Sequence, residues 1–156
     1  WRERHARPRY NPGVARKPGY SSAIHEVVDR LFVYGTLRSG QAARSLMEEH
    51  IAASRPARTT GRLVAFPDYP GLVDEGDAPV HGEVVTLRDL PAAVALLDAY
   101  EGGEYVRILK KVILDDGEET WAWCYVLADP RLAEDGEPVP GGDWAAWLGS
   151  LSSRST

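Results

Sequence analysis

The sequence holds one cysteine, one methionine, two phenylalanines and three lysines in 156 residues. A lone thiol, Cys124, excludes an internal disulfide framework and any zinc site built on several cysteines. Four scattered histidines show no ligand spacing, which argues against a histidine-rich metal centre. No apolar run approaches the ~20 residues that a membrane-crossing helix needs, and the opening segment lacks the apolar stretch of a signal peptide. There is no internal repeat, no Gly-x-Ser-x-Gly elbow and no glycine-rich phosphate loop with its Lys-Ser/Thr pair. What is present is ordinary for a globular chain, 44% hydrophobic and 26% charged residues. A chain of this size buries about two-thirds of its unfolded surface and needs no metal or disulfide to fold.

The net charge of −5 averages two unlike parts. Residues 1–20 carry six basic side chains (Arg2, Arg4, Arg7, Arg9, Arg16, Lys17) against Glu3, a balance of +5, which leaves −10 for the remainder. Pro8, Pro12 and Pro18 prevent a continuous amphipathic helix there. Residues 1–29 are therefore expected to form a disordered or loosely docked basic arm. The first residue is Trp rather than Met, so a start assigned too far upstream, with the true one near Val27 or Val28, is one explanation of the arm.

The expected domain spans 30–149, with a flexible Ser-rich tail over 150–156. Leu31 to Tyr34 reads as a buried strand stopped by Gly35. Ser39 can cap a helix over Gln41–His50, with Leu46, Met47 and Ile51 facing inward. Extended segments follow from Thr59 to Phe66, at Leu72-Val73 and from Val80 to Leu87. Asp89-Leu90-Pro91 places a cap and an early proline at a helix start, and Gly102-Gly103 ends that helix after about Tyr100. Tyr105–Leu114 and Thr120–Leu127 form a hairpin around Asp115-Asp116-Gly117-Glu118. A short helix follows near Asp143–Leu148. The class is α+β: a small mixed, mainly antiparallel β-barrel flanked by two main helices.

Leu90, Val94 and Leu97 share one face of the first main helix, and Glu101 extends the same stripe. A carboxylate ending an apolar face points at the core or at a cavity, and burial raises its pKa towards the range useful for proton exchange. The competing reading frays Glu101 into solvent or pairs it with Arg107. Asp98 falls beside the stripe and Glu104 beyond the double glycine; both read as surface or turn residues, with Glu104 the rival for an acid/base role. Tyr34-Gly35-Thr36-Leu37-Arg38 runs from a strand into a turn, exposing backbone N–H groups suited to an anion. Alone, it reads first as a plain strand-to-helix connection whose glycine permits the turn. Trp121, Trp123, Tyr125 and Leu127 alternate onto one side of the last long strand, with Ala122, Cys124 and Val126 opposite. Tyr105 and Tyr125 can offer hydroxyls to a pocket, and Cys124 reads as a buried apolar residue.

Phe32-Val33-Tyr34-Gly35-Thr36-Leu37-Arg38 resembles the opening signature of the gamma-glutamylcyclotransferase-like superfamily. Leu97-Asp98-Ala99-Tyr100-Glu101-Gly102, followed by Tyr105-x-Arg107, resembles its second signature. Tyr69-Pro70-Gly71-Leu72-Val73, Gly82-Glu83-Val84 and Gly142-Asp143-Trp144 match further family features. The resemblance covers Leu31 to Leu148 and implies the family's small barrel with flanking helices. It implies that Glu101 is the catalytic acid/base, that Tyr34, Gly35, Thr36 and Leu37 cradle a gamma-glutamyl group, and that Tyr105 and Tyr125 are pocket tyrosines. The implied reaction is attack of the substrate's alpha-amino group on its own gamma-carbonyl, releasing 5-oxoproline and an amine. It requires no cofactor and no metal. The backbone loop would hold either the alpha-carboxylate or the developing oxyanion.

These readings make the partner a small-molecule gamma-glutamyl compound, handled in the cytoplasm by a monomer or homodimer with no membrane contact. Arginine outnumbers lysine 15 to 3, which suggests a GC-rich bacterial genome. The acidic body suggests a cationic leaving amine. Two rivals stand beside this reading. One is a non-catalytic binding module on the same fold. The other is nucleic-acid binding through the basic arm, opposed by an acidic body and by the absence of a base-stacking platform in the arm.

Overall fold

The protein is described by a computed structural model over residues 28–155. The basic arm therefore lies outside the described residues as far as residue 27. Val28 and Asp29 belong to the fold. Val28 is 2% exposed, its carbonyl accepts a hydrogen bond from Trp123 Nε1 at 3.3 Å, and the Asp29 carbonyl accepts from the Leu87 amide at 2.8 Å.

Five strands close into a barrel in the order β1 (Arg30–Val33), β5 (Pro79–Leu87), β2 (Ile51–Thr60), β6 (Tyr105–Leu114) and β7 (Glu119–Leu127). Every neighbouring pair is antiparallel except β1 with β7, which run parallel and complete the ring through Leu31↔Trp123 and Phe32↔Cys124. A smaller sheet of β4 (Pro70–Val73), β3 (Arg62–Ala65) and β8 (Glu137–Pro138) lies outside the ring. Two helices, α1 (Leu90–Glu101) and α2 (Trp144–Ser155), flank the sheets. The observed class is the expected α+β barrel. Among the described residues eight strands appear, where the sequence pattern suggested about six.

The period-2 alternation of β7 divides the interior in two. Trp123, Tyr125 and Leu127 join one buried cluster, with Leu97 of α1, while Ala122, Cys124 and Val126 join the other. The β6–β7 hairpin forms at the expected positions, with Asp116 Oδ1 accepting from the Glu118 amide at 2.9 Å within the turn.

Three local expectations need correction. The helix expected over Gln41–His50 is replaced by two 3-10 turns, Arg44–Leu46 and Glu48–His50. Arg44 turns inward, donating to Glu83 Oε1 at 2.9 Å and to the Leu37 carbonyl at 3.3 Å. The backbone closes short turns instead, with the Leu46 amide donating to the Ala43 carbonyl at 3.0 Å and the His50 amide to the Met47 carbonyl at 2.8 Å. Met47 is fully buried as expected, but Leu46 is 39% exposed. The long strand β2 begins directly at Ile51, well before the extended segment expected from Thr59. Finally, α2 continues to Ser155, through the segment expected to be a flexible tail.

Candidate active site

The end of α1 decides where Glu101 lies. Asp89 Oδ1 accepts from the Ala92 amide at 3.1 Å and Pro91 occupies the first turn, so the helix starts in a defined register. Ala93 and Leu97 are fully buried, and Glu101 follows four residues later on the same face. Gly102 stops the helix in a conformation with φ of 71°, which L side chains rarely adopt. The glutamate is thus the last helical residue, held where the apolar face meets a cavity.

That cavity, of about 300 Å³, is lined by all seven residues singled out in the sequence: Tyr34, Gly35, Thr36, Leu37, Glu101, Tyr105 and Tyr125. Its wall also includes Asp68, Tyr69, Tyr100 and Glu104. Among the described residues, none that lines it is basic. Burial, and secondarily the charge of Asp98, raise the Glu101 carboxyl to about 8. Glu101 is half-buried because it opens onto the cavity, while protein surrounds it elsewhere. Arg107 is not its partner. The guanidinium instead makes two 3.2 Å hydrogen bonds to the two oxygens of Asp98 and lies 4.9 Å above the Trp123 ring.

The loop from Tyr34 to Leu37 leaves β1 and turns back sharply, with the Arg38 amide donating to the Gly35 carbonyl at 3.0 Å. Gly35 lies so close to Pro70 that an added Cβ would stand 2.5 Å from the proline ring. Behind the loop, Glu83 Oε1 accepts from Ser39 Oγ at 3.0 Å and from Arg44 Nη1 at 2.9 Å. Desolvation opposes ionisation of Glu83, but these donors outweigh it and hold its carboxyl below the ordinary range. Arg38 Nη1 donates to Asp143 Oδ1 at 2.9 Å, and the same oxygen caps α2 through the Ala146 amide at 3.1 Å. The loop is thereby tied to both β5 and α2.

The tyrosines have distinct duties. Tyr34 donates to the Tyr125 carbonyl at 2.7 Å and accepts from the Leu72 amide at 3.2 Å, so its hydroxyl is used in holding the fold. Tyr105 donates to the Pro70 carbonyl at 2.7 Å, and Tyr125 donates to Asp98 Oδ1 at 2.6 Å. All three hydroxyls are pushed up, chiefly by burial. Glu104 is exposed at the rim, where its carboxylate accepts from Tyr69 Oη at 3.4 Å. Cys124 is fully buried, with its thiol pushed up to about 12 by burial, which fits a packing role. Among the described residues no group of three or more His, Cys, Asp or Glu could hold a metal ion.

Sequence reasoning missed Asp98. It reads as a surface residue along the helix, yet its carboxylate links Tyr125, Arg107 and the field at Glu101. The signal was weak but present, since Asp98 lies three residues before Glu101 on a neighbouring face.

The chain is thus a small α+β protein with a closed mixed barrel, in which one helix end projects a carboxyl with a raised pKa into a tyrosine-lined cavity. Residues 31–146 match the family described as gamma-glutamyl cyclotransferase, AIG2-like, and the chain belongs to that family. It is 35% identical over 118 residues to the gamma-glutamylcyclotransferase family protein YtfP of Escherichia coli K12, covering 74% of this chain and 95% of YtfP. YkqA of Bacillus subtilis superposes with a TM-score of 0.63 at 27% identity, over 82% of this chain and 43% of YkqA. A mouse AIG2-like protein superposes with a TM-score of 0.54 at 26% identity, over 66% of this chain and 80% of its own. Family membership supports a cyclotransferase-type function.

Proposed function

We propose that this chain is a gamma-glutamylcyclotransferase, releasing 5-oxoproline and a free amine from a gamma-glutamyl amide, with Glu101 as the proton carrier. The observation that carries the reading is the Glu101 carboxyl, raised to about 8 in a cavity shared with the Tyr34–Leu37 loop. The alpha-nitrogen of the substrate attacks its own gamma-carbonyl carbon. One N–C bond forms, the amide C–N bond breaks, and two of the three ammonium protons pass to the departing nitrogen, which leaves as an ammonium while the ring keeps one N–H.

The proton ledger favours one carboxyl for both transfers. The alpha-amino group of a free chain titrates near 8, so a carboxyl at about 8 exchanges a proton with it at little cost. Before substrate arrives, Glu101 is mostly protonated at neutral pH. An incoming ammonium favours its ionised form. Glu101 takes the first proton so that the nitrogen can attack and gives it to the leaving nitrogen; it then takes the second as the ring nitrogen becomes an amide and passes it to the departing amine. Such transfer contributes about 10²–10⁴-fold. Holding the flexible chain folded for attack is the other large contribution, and it falls to the loop. The amides of Gly35, Thr36 and Leu37 have no partner among the described residues, which suits them to an oxygen anion of the substrate.

Asp68 and Glu104 at the cavity wall, with no basic lining residue among the described residues, favour a leaving amine that carries positive charge. The experiment is a panel of gamma-glutamyl amides with cationic, neutral and anionic amine parts, assayed for 5-oxoproline. Release from the panel, abolished by Glu101→Gln, is the expected result. No release from any member would overturn the reading.

A further inference from the structure

A hydroxyl has one hydrogen to give, and around Glu101 the tyrosine hydrogens are already committed. Tyr34 gives its hydrogen to the Tyr125 carbonyl and also accepts from Leu72, so it has little left to offer. Tyr105 gives its hydrogen to the Pro70 carbonyl, and Tyr125 gives its hydrogen to Asp98. Tyr105 and Tyr125 both line the cavity with Glu101. With their hydrogens engaged elsewhere, their oxygens can meet a ligand only as acceptors. Tyr125 and the Glu101 carboxylate thus both offer acceptors at the cavity wall, which is what the N–H groups of an alkylammonium need.

For Tyr125 this polarity depends on one residue. Asp98 accepts at 2.6 Å, a short charge-assisted bond, while Arg107 grips both of its oxygens at 3.2 Å. The side chains of Asp98 and Arg107 are 23% and 11% exposed, so the pair is shielded and its geometry is well defined. A neutral amide in place of the carboxylate could present its NH₂ to Tyr125, and the hydroxyl would then turn its hydrogen into the cavity. That hydrogen would oppose a cation.

We propose that Asp98 is a positioning residue which, by holding the hydrogen of Tyr125, keeps the Tyr125 oxygen as an acceptor for the ammonium group of the substrate. The inference rests on the gamma-glutamyl reading for the identity of that ammonium and adds the residue that enforces its recognition. Asp98 need not touch the substrate.

The test compares two ligands that differ only at the ammonium: gamma-glutamyl butylamide and glutaryl butylamide, which has hydrogen there. Dissociation constants are measured by calorimetry in the Glu101→Gln background, where turnover does not intrude. Adding Asp98→Asn should weaken the gamma-glutamyl compound about tenfold and leave the glutaryl compound within about twofold. Tyr125→Phe, which keeps the ring and the Asp98–Arg107 pair, should show the same selective loss. It also keeps the question answerable if Asp98→Asn folds poorly. Equal weakening of both ligands would mark Asp98 as merely structural and overturn the proposal, as would no weakening of either. Failure of the parent reading looks different: wild-type protein binds the gamma-glutamyl compound but releases no 5-oxoproline. No binding of that compound to wild-type protein, with no 5-oxoproline released, would overturn both.

Discussion

The Tyr125 hydroxyl donates a 2.6 Å hydrogen bond to Asp98 Oδ1, joining barrel strand β7 to the last turn of α1, three residues before Glu101. The same Asp98 charge is the second cause, after burial, of the raised Glu101 pKa. The other groups facing Glu101 are Tyr34 after β1, Tyr105 on β6, and Cys124 and Tyr125 on β7, with Arg107 beyond Asp98. Asp98→Asn removes a negative charge from beside Glu101, which favours the Glu101 carboxylate. The Glu101 titration, followed by carboxyl carbon NMR on the substrate-free protein, should move down from about 8 yet stay above the ordinary carboxyl range, because burial remains. An unmoved midpoint would mean that Glu101 does not feel Asp98.

Glu101→Gln should reduce 5-oxoproline release by at least ~10²-fold, and it should also stabilise the protein at alkaline pH. The sign follows from linkage. A carboxyl raised from 4.5 to about 8 in the fold favours the folded state fully below about 4.5, and that contribution is lost as pH rises through about 8. Glutamine carries no such loss. The variant should therefore gain of order 1–3 kcal/mol over wild type near pH 8, with the gap closing towards pH 4–5. Denaturant unfolding at both pH values measures this. A gap independent of pH would place the raised pKa in doubt.

Glu104→Gln tests the rival acid. Glu104 is exposed and is the rim partner of Tyr69. Its carboxyl is outside the enclosed part of the site, so kcat should stay within about threefold of wild type. Loss of turnover on the scale expected for Glu101→Gln would reverse the assignment of the proton carrier.

Gly35→Ala probes the loop itself. The new Cβ would stand 2.5 Å from Pro70 Cγ and 2.6 Å from its Cδ, and a proline ring has little freedom to retreat. The loop must shift, costing about 1–3 kcal/mol of stability as an overpacked contact does. KM for a gamma-glutamyl amide should rise, while the Glu101 titration stays in place. An unchanged KM would separate the loop from substrate binding.

How far the sequence revealed this molecule depends on whether the deciding contacts are local. Helix α1 was legible because Asp89, Pro91 and Gly102 act within a turn of themselves. The β6–β7 hairpin was legible because alternation and a turn lie in one stretch. Strand β2 was not, since most of its residues in IAASRPARTT are exposed or half-buried and Pro56 interrupts the run. Its partners are β5 and β6, remote in the chain. The absent helix at Gln41–His50 has the same origin, because Glu83 captures Arg44 from 39 residues away. In the site, helical periodicity alone aimed Glu101 at the interior. Asp98 stayed hidden because its partner Tyr125 stands 27 residues along, and no local pattern announces that meeting.

The charge asymmetry yields a last prediction. The family match begins at residue 31, and the first buried residue of the described fold is Val28. The +5 of residues 1–20 falls before both. Removing residues 1–25 should therefore leave 5-oxoproline release and stability unchanged. Removing residues 1–29 is a different operation. It strips Val28 from the core, takes the carbonyl that Trp123 Nε1 uses, and takes the Asp29 carbonyl that the Leu87 amide uses. Burial of a valine side chain alone is worth about 1.5–3 kcal/mol, so the second truncation should unfold at clearly lower denaturant than the first. Equal stability of the two would show that Val28 contributes nothing to the barrel, and loss of turnover on cutting after residue 25 would make the basic segment part of the enzyme.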